Sequence, residues 1–239
     1  MQDSARYAVG IDVGTTTVRC VVGHLDATTG APTIVGVGEV ANSGMRKGSI
    51  VNLSGPAQAI DEALGEAERM SGYEVDSATI SINGAHILST TTDGMVAVAS
   101  VDHIVTDDDV ARLEEVATVG KVPANREILT VVPHSYSLDG QDNIKSPVGM
   151  TGTRLEINAN VISALGPHVS ALHSTLELAK VEPRVITPSV VAAAKAVLTE
   201  QQLENGVAVI DFGGATTGIA IFEEGDLQYS ARRPHPTHL

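Results

Sequence analysis

The sequence predicts an α/β chain in which two related β-rich halves flank a smaller α+β segment. Three observations predict it. First, Val9-Gly10-Ile11-Asp12-Val13-Gly14-Thr15-Thr16-Thr17 and Val209-Ile210-Asp211-Phe212-Gly213-Gly214-Ala215-Thr216-Thr217 share one design. Each is an apolar strand ending in Asp-x-Gly, a turn of glycine and threonine, and a second apolar run. Second, strand-length apolar runs alternate with stripes at helical spacing. Third, 43% hydrophobic content supports a globular core, and 3% aromatics with no Trp make that core aliphatic.

The elements follow in order. Residues 7–13, 18–24 and 33–40 read as strands separated by glycine-marked breaks. Ser54 is placed to cap a helix, with Pro56 in its first turn. Ile60, Ala63, Leu64, Ala67 and Met70 form its stripe, and Gly72 ends it. Residues 78–82 are the next strand, so residues 1–83 read β-β-β-α-β. The middle piece, about 84–162, begins with a short strand at 95–99. Thr106 then caps a helix whose first turn holds Asp107, Asp108 and Asp109, where carboxylates complement the helix dipole. Residues 127–138 form a strand with Pro133 marking an edge or a bulge. A glycine- and proline-punctuated loop leads to a strand at 154–162. The last part, 163–231, resembles the first: a helix at 167–180, a strand at 184–186, a helix at 188–200 and the second Asp-x-Gly hairpin. Residues 232–239 show neither period and read as a loose tail.

Composition excludes several functions. A formal net charge of −14 argues against general nucleic-acid binding. The single cysteine, Cys20, lies in an apolar strand and reads as a buried thiol in a reducing compartment. The start, Met-Gln-Asp-Ser-Ala-Arg, lacks the pattern of a signal peptide, and no run approaches a membrane span. The expectation is a soluble cytoplasmic protein. Eight scattered histidines show no metal-site spacing. Arg46 and Lys47 read as a solvated loop.

Chemistry concentrates in the two hairpins. A tight turn between strands exposes backbone N–H groups, glycine permits close approach, and threonine hydroxyls add donors. An Asp at the end of the preceding strand makes sense as a ligand, through water, of a Mg²⁺ that bridges phosphates, or as a group orienting water. Asp12 and Asp211 are therefore the candidate metal-side and catalytic carboxylates. Gly14, Thr15, Thr16 and Thr17, with Gly213, Gly214, Thr216 and Thr217, are the candidate phosphate clamps. The plain alternative is two β-hairpins with ordinary turn chemistry. No P-loop occurs. Gly36-Val37-Gly38 lies inside a strand-like run and opens no helix, which a dinucleotide-binding fingerprint requires.

At these residues the chain resembles the FtsA family of bacterial cell-division proteins, within the actin-like ATPase superfamily. Gly10 to Thr16 look like its first phosphate motif and Val209 to Gly214 like its second. Narrower matches are Gly44 to Asn52, Ile82 to Ile87, Pro147 to Glu156 and Ala196 to Glu200. The resemblance implies an actin-like (ribonuclease-H-like) ATPase domain: subdomain 1A at 1–83, an inserted 1C or SHS2-type α+β subdomain at 84–162, and the start of subdomain 2A at 163–231, its second half truncated. It further implies ATP and Mg²⁺ as ligands, self-association into filaments, and a place at the inner face of the cell membrane. There the family tethers FtsZ filaments and recruits division proteins to the septum. The FtsZ-contacting part and the membrane-targeting helix are not expected within these residues. Thr17, Ala215 and Gly218 depart from the family's pattern, so at most a weak ATPase is expected. Two other readings stay open: a nucleotide-independent scaffold acting through 84–162, and a small-molecule kinase of the same superfamily.

Overall fold

The computed structural model describes residues 7–235. Strands β1 (Tyr7–Val13), β2 (Thr17–Leu25) and β3 (Pro32–Ala41) form an antiparallel meander. A two-residue ladder, β4 (Met45–Arg46) with β5 (Ser49–Ile50), leads to helix α1 (Ser54–Ser71) and strand β6 (Ser77–Ile82). The middle piece holds β7 (Leu88–Ala97), α2 (Asp107–Thr118), β8 (Arg126–Leu138), β9 (Gln141–Ile144) and β10 (Arg154–Leu165). Then come α3 (Gly166–Leu178), β11 (Glu182–Pro188), α4 (Ser189–Val197) and α5 (Glu200–Asn205). The described chain finishes with β12 (Val207–Phe212), β13 (Thr216–Glu223) and β14 (Asp226–Pro234).

Three main sheets result. The first has the order β11-β6-β1-β2-β3, with β1, β6 and β11 parallel. The middle piece is an antiparallel sheet, β7-β10-β8-β9, with α2 packed on it. The third is β12-β13-β14, antiparallel throughout. Strand β10 belongs to two cores. Its Leu155, Ile157 and Ala159 pack with Leu113 and Ala117 of α2, while Ile162 and Ala164 join the larger core of β1, β2, β6 and α1.

Helix α1 lies unusually close to β3, and two glycines allow it. A Cβ on Gly36 would stand 2.3 Å from the carbonyl oxygen of Ala67, and one on Gly38 only 1.8 Å from that of Ala63. Two residues of strand and four of helix advance by similar lengths, about 6–7 Å, so both contacts repeat in register. The Gly36-Val37-Gly38 run is thus a seat for a helix.

Several expectations hold in detail. Thr106 caps α2 in a full capping box with Asp109, and Gly72 ends α1 at φ 75°. At Pro133 the register breaks: Pro133 faces Ala159 and Ser135 faces Asn158, leaving His134 as the extra residue of a bulge. Others need correction. Ser54 does not cap α1; its N–H donates at 2.9 Å to Oδ1 of Asn52, two residues earlier. Residue 163 does not open a second half. Strand β11 pairs with β6 and completes the first sheet, because a parallel partner needs the helical crossover that α3 supplies. Arg232, Arg233 and Pro234 are no loose tail: they pair with Gly218, Thr217 and Thr216 of β13, whose outer edge needs backbone partners. Residues 236–239 of that expected tail lie outside the described residues. Among the described residues no helix is long and apolar enough to cross a membrane.

Candidate phosphate cleft

The two hairpins close in the same way. Gly14 N–H donates to Thr17 O at 3.1 Å, and Gly213 N–H to Thr216 O at 2.9 Å. A Cβ on Gly14 would meet Thr17 O at 2.6 Å, and one on Gly213 would meet Thr216 O at 3.0 Å. Glycine is needed for tightness here, since neither residue has a positive φ. The turns also face each other. A Cβ on Gly214 would stand 2.6 Å from Thr16 Cγ2. Between them lies a cleft of about 250 Å³ whose lining includes Asp12, Gly14, Thr15, Thr16, Thr17, Asp211, Gly213, Gly214 and Thr216. Thr217 does not line it. Side chains alternate along β13, so Thr217 points away and pairs with His235 Nε2 at 2.9 Å.

The clamps are themselves held in place. Thr15 Oγ1 accepts from Gly48 N–H of the β4–β5 turn at 3.1 Å, and Asn42 Nδ2 donates to Gly14 O at 2.7 Å. Asp12 Oδ1 accepts from Ser81 Oγ, which itself accepts from Val13 N–H at 3.0 Å. Asn83 Nδ2 donates to Val13 O at 3.1 Å, fixing the first hairpin from the end of β6.

The second hairpin carries a residue that sequence reasoning placed elsewhere. Arg232, only 8% exposed, reaches into the cleft from β14. Its Nη2 donates to Asp211 Oδ2 at 2.7 Å and its Nε to Thr216 Oγ1 at 2.9 Å. Its Nη1 bonds Asn83 Oδ1 and Ser189 Oγ. Asn83 and Ser189 are bonded to each other, so one polar cluster spans the cleft. Ser81, Asn83 and Ser189 stand at the end of β6 or the start of α4. The strand boundary after Ile82 and the Pro188-Ser189 helix start were the available signals.

The two tight turns present backbone N–H groups and threonine hydroxyls to one cleft, donors of the kind that phosphate oxygens accept from. Divalent metal fits them unevenly. Asp12 lines the cleft bonded only to a neutral hydroxyl, while Asp211 is already paired with a guanidinium. Among the described residues no cluster of three or more His, Cys, Asp or Glu could hold a metal ion.

The parallel-edged sheet, the segment inserted after β6 and the second hairpin sheet define an actin-like ATPase fold. A chain of the solved PilM-PilN type IV pilus biogenesis complex shares it, with a TM-score of 0.64 and 14% identity over 95% of this chain and 61% of that one. The family described as the SHS2 domain inserted in FTSA matches residues 84–163, from the end of β6 to within β10. The cell division protein FtsA of Pseudomonas aeruginosa is 34% identical over 231 residues, 97% of this chain and 55% of its own length. That of Bacillus subtilis is 36% identical over 219 residues, 92% and 49% respectively. The chain belongs to the FtsA family of cell-division proteins and spans about half the length of the curated relatives it matches.

Proposed function

We propose that this chain binds the phosphate end of ATP between its two hairpins and serves as an actin-like component of the bacterial division machinery. The observation that carries the reading is the matched pair of turns, closed by the same Gly-to-Thr hydrogen bond and meeting across one cleft. Turn amides and the Thr16 and Thr17 side chains meet the phosphates, and Asp12 is the carboxylate best placed to hold Mg²⁺ through water. Mg²⁺ would supply charge compensation for the phosphates. Family membership supports the wider role: a cytoplasmic protein at the inner face of the membrane, self-associating, holding FtsZ filaments and gathering other division proteins at the septum. The inserted 84–163 sheet offers a partner surface that does not depend on the cleft.

The test is a melting-temperature titration with ATP, ADP and AMP. Saturation near 100 times Kd is expected to stabilise by about 2.7 kcal/mol, a rise of roughly 5–10 °C for a chain of this size. AMP, lacking a phosphate chain, is expected to do far less. Equal shifts with AMP and ATP, or no shift with any, would remove the nucleotide from the proposal. Co-sedimentation with FtsZ polymers tests the wider role separately.

A further inference from the structure

We propose that Asn83 is a positioning residue of this cleft, a side-chain amide that sets how far apart the two phosphate hairpins stand. The role rests on the phosphate-binding reading above and adds what fixes the distance between its two halves. Asn83 follows β6, lines the cleft and is buried. Its Nδ2 donates to Val13 O at 3.1 Å, at the root of the first turn. Its Oδ1 accepts from Arg232 Nη1 and is bonded to Ser189 Oγ. Arg232 carries the link on to Asp211 Oδ2 at 2.7 Å and Thr216 Oγ1 at 2.9 Å, on either side of the second turn. The amide cannot be turned round. Val13 O only accepts and a guanidinium only donates, so the nitrogen belongs to the first hairpin and the oxygen to the second.

Chemistry narrows the residue type. Aspartate has the length but no donor for Val13 O, leucine has the shape and neither polar group, and serine is too short to reach both sides. Glutamine keeps both groups and adds a methylene. The backbone beneath the amide is pinned as well. Asn83 O accepts from His86 Nε2 at 2.9 Å. Gly48, whose N–H donates to Thr15 Oγ1, packs so closely on the next residue that its Cβ would stand 2.8 Å from Gly84 Cα. At their tips the hairpins meet directly, Gly214 against the Thr16 side chain. A contact at the tips and a spacer of fixed length at the roots leave the gap one width. Burial makes the spacer stiff, because letting go of either end strands a desolvated polar group.

Two probes read the width, both in Mg²⁺ and on the full chain: pyrophosphate, whose two phosphoryl groups take donors from both turns, and inorganic phosphate, which one turn can hold. Asn83→Gln is expected to weaken pyrophosphate binding by about tenfold or more, while phosphate affinity stays within about threefold of the parent. Equal losses on both probes, the result of a general loosening, overturn the spacer, and so does parent-like binding of both. A parent chain that binds neither probe sinks the phosphate reading, and a second arm that needs no ligand then decides on Asn83. The Gly14 and Gly213 N–H groups close the two turns. In Asn83→Ser their amide exchange is expected to quicken together, by about tenfold or more, with the amides of β10 unchanged. Quickening of one turn alone, of neither, or of β10 as well overturns the proposal. If Asn83→Ser unfolds the chain, Asn83→Asp takes its place. The carboxylate keeps Arg232 and loses the donor to Val13 O, so Gly14 is expected to quicken and Gly213 is not; equal exchange at both overturns the spacer.

Discussion

Gly38→Ala is expected to be among the most damaging single-methyl changes in the main core. The added Cβ would lie 1.8 Å from the carbonyl oxygen of Ala63, about 1.6 Å short of the 3.4 Å at which ordinary contact begins. That oxygen is helical backbone and cannot swing aside. Helix α1 must lift instead, and with it Ile60, Ala63, Leu64 and Ala67, all buried against the sheet. A gap of even 0.5–1 Å forfeits roughly a quarter to a half of each dispersion contact. Overpacking of this kind costs about 1–3 kcal/mol, and a clash with rigid backbone belongs at the upper end. Near 3 kcal/mol, the melting temperature should fall by roughly 6–12 °C. Gly10→Ala is the internal control. It sits in the adjoining meander, with nothing within 4 Å of a built Cβ. It is expected to be neutral or to stabilise by about 0.5–1 kcal/mol, through the lower freedom of alanine in the unfolded chain. Thermal melts of both variants check the contrast. A Gly38→Ala protein melting within 2 °C of the parent, or a Gly10→Ala protein equally damaged, would refute the close-packed seat.

Two further outcomes follow. Cys20 is fully buried, and burial first, then the Glu68 carboxylate, push its thiol up to about 11; a maleimide probe at pH 8 is expected to label it only after denaturation. His86 stacks on His168 with ring centres 4.0 Å apart. Burial first, then His168 and Arg126, pull it down to about 4, against the opposing bond to Asn83 O. His168 is lowered by burial as well. The unfolded chain then binds more protons than the folded one between about pH 6.5 and 4. This contribution to stability is complete above 6.5 and is lost as pH falls through that window. Melting temperatures from pH 7 to 4.5 should fall less steeply in His86→Gln than in the parent.

The hairpins were legible because everything they need is local: apolar alternation, an Asp, and glycine where a Cβ would strike the turn's own carbonyl. The capping box at Thr106 and the stop at Gly72 were legible for the same reason. What was not legible depends on distance along the chain. Arg232 finds Asp211 across 21 residues and Asn83 across 149, and nothing periodic in Arg232-Arg233-Pro234 announces it. Strand β11 was read with the second half because its partner β6 lies on the far side of the whole inserted segment. Strand β9 is four residues long and mostly polar, Gln141-Asp142-Asn143-Ile144, so it read as loop. Thr217 was taken for a clamp because composition, unlike geometry, does not say which face of β13 a threonine occupies.

The inserted segment also grips β14 at its opposite end from the cleft. Leu227 O accepts from His134 Nε2 at 2.8 Å and from Asn160 Nδ2 at 3.1 Å, Gln228 O accepts from Asn160 at 2.8 Å, and Lys145 pairs with Asp226. The bulge that displaces His134 is what points its ring at β14. Arg232 lies five residues further on, about 17 Å along the strand. Strand side chains alternate, so a slip of one residue would rotate Arg232 out to solvent and present Arg233 in its place. The insertion therefore works as a gauge stop, fixing from one end which of two adjacent arginines arrives at the other. A binding partner that shifted the stop would change which arginine faces a cleft it never touches.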